Sequence, residues 1–163
     1  MIDRLTQDDG LASFGGAFWS FAALASGDIG HARELAERAM AEAPTDYFRG
    51  WAAAFLAGAL TRGGNVIEAL PILEQAVALA RRSAHFSGYL LIALVLAEAR
   101  LTAGQIGAAR ALLKQLRSEA HGYACVAGGC EQLLGEIALA HGQHRGALDH
   151  FDAAHALFEA WCR

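Results

Sequence analysis

Glu98 and Glu136 stand at matching places in two charge-poor stretches, six residues before Gly104 and Gly142 respectively. Paired carboxylates so placed can act as a general acid–base couple, or present negative charge to a basic group on a ligand. No nucleophile, base and oxyanion donors accompany them at a spacing that would assemble a reaction centre, so no catalytic residue is assigned. A small helical enzyme using Glu98 and Glu136 therefore ranks behind a binding role. All three cysteines and four of the seven histidines gather late in the chain: Cys125, Cys130, His141, His144, His150, His155 and Cys162. His150 and His155 are five residues apart, about 140° around a helix, and do not share a face; Cys125 and Cys130 are offset in the same way. A metal site needs three or four converging donors with supporting partners, so neither metal nor cofactor is expected. Three cysteines without the spacing of a disulfide framework indicate a reducing compartment.

The elements that must carry these residues are marked by four glycines. Gly27, Gly64, Gly104 and Gly142 are 37, 40 and 38 residues apart. Each is followed five residues later by an alanine (Ala32, Ala69, Ala109, Ala147) and preceded by seven by a small residue (Ser20, Ala57, Ala97, Gly135). Self-similarity at such a period indicates a repeat architecture. Glycine just past a helix end permits the left-handed backbone that satisfies terminal carbonyls, so each should join two antiparallel helices. The repeats read as about 11–43, 47–82, 88–120 and 123–162 within one domain over 11–163, with 1–10 a separate segment expected to be disordered. The second hairpin is predicted as Tyr47–Arg62 and Val66–Arg82. No segment alternates in the manner of a strand.

The two helices of each pair differ in character. Tyr47–Arg62 carries only Arg49 and Arg62 as charges, and Gly88–Ala103 only Glu98 and Arg100. The second helices are amphipathic, as in His31–Met40, where Leu35, Ala36 and Ala39 form one stripe. First helices should therefore line an inner layer and second helices an outer one. The small residues should face one another across each turn, with Trp19, Leu56, Leu96 and Leu134 filling the hairpin cores. Ala36 and Ala39, Leu73 and Ala76, Leu113 and Leu116, and Phe151 and Ala154 should pack on the next hairpin. Pro71 should make its helix start late or kink, and Gly128-Gly129 should weaken the seventh helix by about 1–2 kcal/mol relative to alanines.

The small–Gly–Ala triads, the Leu or Trp beside each small residue and Pro44 after Ala39 resemble the tetratricopeptide repeat over roughly Phe14 to Trp161. The period is longer than that family's usual 34, and Pro44 has no counterpart in the later repeats. Longer repeats of this kind, with the stretch Glu131–Gly142, are similar to the helical arms of large bacterial ATP-dependent transcriptional regulators. No Gly-x4-Gly-Lys-Ser/Thr loop and no DNA-reading helix pair is present, so neither ATP hydrolysis nor DNA binding carries over. The resemblance implies an all-α, right-handed superhelical stack of four antiparallel helix hairpins.

Such a solenoid binds along the concave face of its first helices. The stripe at that face includes Phe14, Phe21, Trp51, Leu91, Leu94, Glu98, Gln132 and Glu136. It is aromatic at one end and acidic at the other, which suits an apolar or amphipathic segment of a protein or peptide partner carrying a basic residue. The Lys, Arg and Asn with which tetratricopeptide domains grip a terminal carboxylate are missing from it. The alternative is a small-molecule-sensing regulatory domain with an apolar pocket. A net charge of −4 makes nucleic acid a poor partner. The uncharged run Leu11–Gly27 follows an acidic leader, so it reads as neither signal peptide nor membrane span, and a cytoplasmic location is expected. Phe151, Phe158 and Trp161 on the last helix, and Phe14, Phe18 and Trp19 on the first, would leave apolar ends, so a homodimer through a terminal helix is expected.

Overall fold

The computed structural model describes residues 15, 19–20, 22–82 and 86–162, and these contain helices and turns with no strand among them. Helical residues 15, 19–20 and 22–25 belong to α1. There follow α2 (Ile29–Ala41), α3 (Asp46–Arg62), α4 (Val66–Arg82), α5 (Phe86–Thr102), α6 (Ile106–Glu119), α7 (Ala124–Ala140) and α8 (His144–Trp161). Contacts gather into two compact units, Met1–Val95 and Leu96–Arg163, dividing within α5. Among the described residues no helix is long and apolar enough to cross a membrane.

Four turns of one design join the helices of each pair. Gly27, Gly64, Gly104 and Gly142 have φ of 86°, 85°, 75° and 71°. The residue after each glycine donates its N–H to the carbonyl five residues back: Asp28 to Ala23, Asn65 to Leu60, Gln105 to Arg100 and Gln143 to Ala138, at 2.8–2.9 Å. The glycine itself donates to the carbonyl three residues back, completing the two-bond motif that closes a helix C-terminus. The same following residue then opens the next helix, its carbonyl accepting from Ala32, Ala69, Ala109 or Ala147. Those alanines are buried, so the repeated alanine is a point where the incoming helix touches its partner. Gly122, with φ 86°, makes a further left-handed turn before α7 that the repeat pattern did not mark. Gly104→Ala is expected to cost about 1 kcal/mol in urea melts, because alanine is strained at positive φ. Gly107→Ala, at a helical position with open space around it, should be neutral or slightly stabilising.

The charge-poor helices are the more covered ones. α3 buries Gly50, Ala52, Ala53, Ala54, Leu56, Ala57, Ala59 and Leu60 around most of its circumference, whereas α8 buries only Ala147 and Ala154. Caps set the starts: Asp28 accepts from the His31 N–H at 3.1 Å, and Thr45 caps α3 through the Phe48 N–H at 3.5 Å. In the first hairpin the buried Ser20 hydroxyl donates to the Ala32 carbonyl at 2.7 Å, tying the two helices across the turn.

Three packing expectations are corrected. Trp19 is 71% exposed; it borders a shallow cleft with Ala23, His31 and Leu35, while Leu56, Leu96 and Leu134 are buried at the equivalent positions. α4 does not start late: it begins at Val66 and runs through Pro71. Pro71 is on an exposed face and Ile67, whose carbonyl loses its donor, is 72% exposed, so water can take the donor's place. Phe151 packs back onto its own hairpin, not onward. A Cβ at Gly135 of α7 would lie 2.6 Å from the Phe151 ring, and one at Gly128 2.9 Å from the Phe158 ring. Gly128 therefore makes room for an aromatic side chain from α8, within a helix that runs unbroken over Ala124–Ala140. Phe158 is half-buried as a result, leaving Trp161 (63%) and Leu148 (62%) as the exposed large apolar groups of that helix.

Candidate functional site

Phe14 and Phe21, the aromatic start of the expected binding stripe, lie outside the described residues. In the first unit, Trp51 of α3 is half-buried and stacks on Phe55 with ring centroids 5.9 Å apart. Its indole is held where α3 and α5 come together: a Cβ at Gly88 would lie 3.4 Å from Trp51 Nε1, and one at Gly50 3.7 Å from the Ile92 side chain. A Cβ at either glycine would meet these neighbours at ordinary van der Waals distance, so Gly50 and Gly88 mark where the two helices touch. Trp51 Nε1 is buried and without a hydrogen-bond partner among the described residues, which costs stability unless a ligand acceptor or water meets it. Leu91 and Leu94, three residues apart on α5, are both half-buried. Arg81 donates to the Tyr89 hydroxyl at 2.8 Å and lies 4.7 Å above its ring, fastening α4 to the start of α5.

In the second unit, Glu98, Gln132 and Glu136 are exposed. Gln132 Nε2 donates to Glu136 Oε1 at 3.3 Å, one helical turn along α7. The carboxylate with the most structure around it is one the sequence did not single out. Glu131 of α7 has a side chain only 12% exposed, accepting from Arg117 of α6 at 3.2 Å and from His150 Nδ1 of α8 at 2.6 Å. One acid thus ties three consecutive helices. The signal in sequence is weak, because its partners are 14 and 19 residues away and nothing in the repeat spacing distinguishes Glu131 from its neighbour Gln132.

Cys130, beside it, is fully buried. Burial, reinforced by the nearby Glu131 charge and opposed by Arg117, pushes its thiol up to about 12. Two consequences follow. Iodoacetamide at pH 8 should label the exposed Cys162 in the native protein and reach Cys130 only on unfolding, as peptide mass mapping would show. Because the folded thiol titrates above its unfolded counterpart, this group's contribution is complete below about pH 9 and declines between there and pH 12. Cys130→Ala should flatten the alkaline fall in stability over that window. Among the described residues no three His, Cys, Asp or Glu side chains converge as metal donors would.

No family model matches the chain, and no curated protein matches it. A solved structure described as nearly identical TPR-like repeats of a kinesin light chain from Podosopora anserina is similar to it. The TM-score is 0.58 at 19% identity, covering 91% of this chain and 96% of that one. The fold is therefore a TPR-like helical repeat.

Proposed function

We propose that this chain is a non-catalytic protein-interaction module that holds an apolar or amphipathic segment of a partner on the faces of its first helices. The observation that carries the reading is Trp51: a half-buried indole stacked on Phe55, its buried N–H without an acceptor among the described residues. The part of this aromatic pair that remains exposed is what a partner's apolar side chain would cover. Leu91 and Leu94 extend that apolar surface on α5. In the second unit Glu98, Gln132 and Glu136 favour basic side chains of the partner. The resemblance to the arms of bacterial regulators suggests a regulatory setting, and residue usage with unpaired cysteines a bacterial cytoplasm, with Trp161 available for self-association. Affinity capture on the immobilised chain, followed by titration calorimetry with the recovered protein, tests the proposal. Trp51→Ala should weaken binding about tenfold; capture of nothing, or equal binding by Trp51→Ala, would count against it.

A second reading rests on a cleft of about 300 Å³ in the first unit, lined by Met40, Ala53, Ile72 and Leu79 with Glu37 and Arg49. Its size is at the lower end for small-molecule sites. An apolar compound retained through purification and seen by native mass spectrometry would favour this sensor role.

A further inference from the structure

Arg110, Lys114 and Arg117 of α6 are spaced by four and three residues, so all three lie on one face. With Leu134 and Ala138 of α7, and Gln143 and His150 of α8, they line a cleft of about 300 Å³ inside the second unit. Arg110 and Lys114 make no ion pair among the described residues, while Arg117 and His150 share the single carboxylate of Glu131. The cleft is thus positively charged in a chain whose net charge is −4 and whose only lysine is Lys114.

The cleft departs from the repeat. In the first unit the cleft that shares three of these repeat positions, between α2 and α4, is lined there by Glu37, Met40 and Ile72, and elsewhere by one cation, Arg49 of α3. Counted from the turn glycines, Glu37 corresponds to Lys114, Met40 to Arg117 and Ile72 to His150. An acid and two apolar residues are exchanged for two cations and an imidazole, on the same helical scaffold and around a similar volume. The charge is therefore a property of these positions, not a general feature of the outer helices.

We propose that this cleft binds an extended acidic segment of a partner protein. Four residues of helix advance about 6 Å and three about 4.5 Å, and two residues of extended chain about 6.7 Å. Carboxylates at alternate positions of such a segment therefore match the step from Arg110 to Lys114 and reach Arg117 with about 2 Å taken up by the long side chains, with an intervening apolar side chain over Leu134 and Ala138. One small anion spans too little of that line to meet all three cations. Glu131, nearly buried, holds Arg117 and His150 in place, so the wall is ordered before the ligand arrives. This surface and its ligand chemistry are separate from the apolar anchor at Trp51.

The test is fluorescence anisotropy at low salt with a labelled peptide carrying glutamates at alternate positions around a leucine. The whole chain should bind it, and Lys114→Glu and Arg110→Glu should each weaken binding at least about tenfold. Raising the salt should do the same. Trp51→Ala should leave it unchanged, which separates failure here from failure of the anchor. Lys114→Gln, an exposed change that a circular dichroism melt can verify as folded, should give a smaller loss. The proposal is overturned if a glutamine version of the peptide binds as well. It is overturned equally if Lys114→Glu has no effect, if Trp51→Ala abolishes binding, or if a thymidine oligonucleotide or inorganic phosphate binds more tightly than the peptide.

Discussion

Leu113→Ala is expected to lower the free energy of unfolding by about 3 kcal/mol, the usual cost of emptying a fully buried leucine site. Leu113 is fully buried on the α6 stripe formed with Ala109 and Leu116. Leu73, nine residues after its own turn glycine as Leu113 is after Gly104, is also fully buried. Leu73→Ala should therefore cost a similar amount, and equal penalties at the two positions would measure the equivalence of the repeats energetically. Urea melts would show a lower midpoint with little change in slope. Leu148→Ala, at a side chain 62% exposed, should change stability by less than about 0.5 kcal/mol. A loss under about 1 kcal/mol at Leu113 would mean that the α6 stripe is loosely packed, against the geometry described.

Gly135→Ala should also destabilise the chain although it adds one methyl group and improves helix propensity. The new Cβ would sit 2.6 Å from the Phe151 ring, about 1 Å inside ordinary carbon–carbon contact. Overpacking of that kind costs about 1–3 kcal/mol, against about 1 kcal/mol gained by removing a glycine from a helix interior. The expected net loss is about 1 kcal/mol. The cause can be isolated: Phe151→Leu combined with Gly135→Ala should recover at least half of it, giving a coupling energy above about 0.5 kcal/mol in a double-mutant cycle. Gly146→Ala, with nothing within 4 Å of the new atom, should show no such penalty. Additive effects of Gly135→Ala and Phe151→Leu would mean that the ring and the glycine do not press on one another.

Much of the fold is legible in one dimension because the turn chemistry is local. Glycine, the residue that follows it and the alanine beyond close one helix and open the next within about ten residues, so four glycines in register suffice to place four hairpins. α4 runs over Val66–Arg82, the span its turn glycine indicates, in spite of Pro71, and α3 begins one residue earlier than expected because Thr45 caps it. The division between covered and outer helices is legible too, since α3 has too few charges to hold much of its surface in water. Legibility fails where a side chain's partner comes from another helix. Trp19 occupies the place of Leu56, Leu96 and Leu134 yet is exposed, and Phe151 turns back to Gly135 although its spacing pointed onward.

The candidate sites divide in the same way. Leu91 and Leu94 could be named from their register in the repeat, because a helix period places residues three apart on one face of α5 whatever surrounds them. Glu131 and the cationic cleft could not. Arg117, Glu131 and His150 meet only because α6, α7 and α8 pack in succession, and Arg110 and Lys114 become a site only because α8 closes the other wall. Sequence alone determined the hairpins, their turns and which helices are covered, since backbone hydrogen bonding and charge content are properties of short stretches. Tertiary structure alone decided which acid is ion-paired, which aromatic is packed and where positive charge accumulates. Those depend on the direction in which each side chain leaves its helix and on what the neighbouring helix puts opposite it.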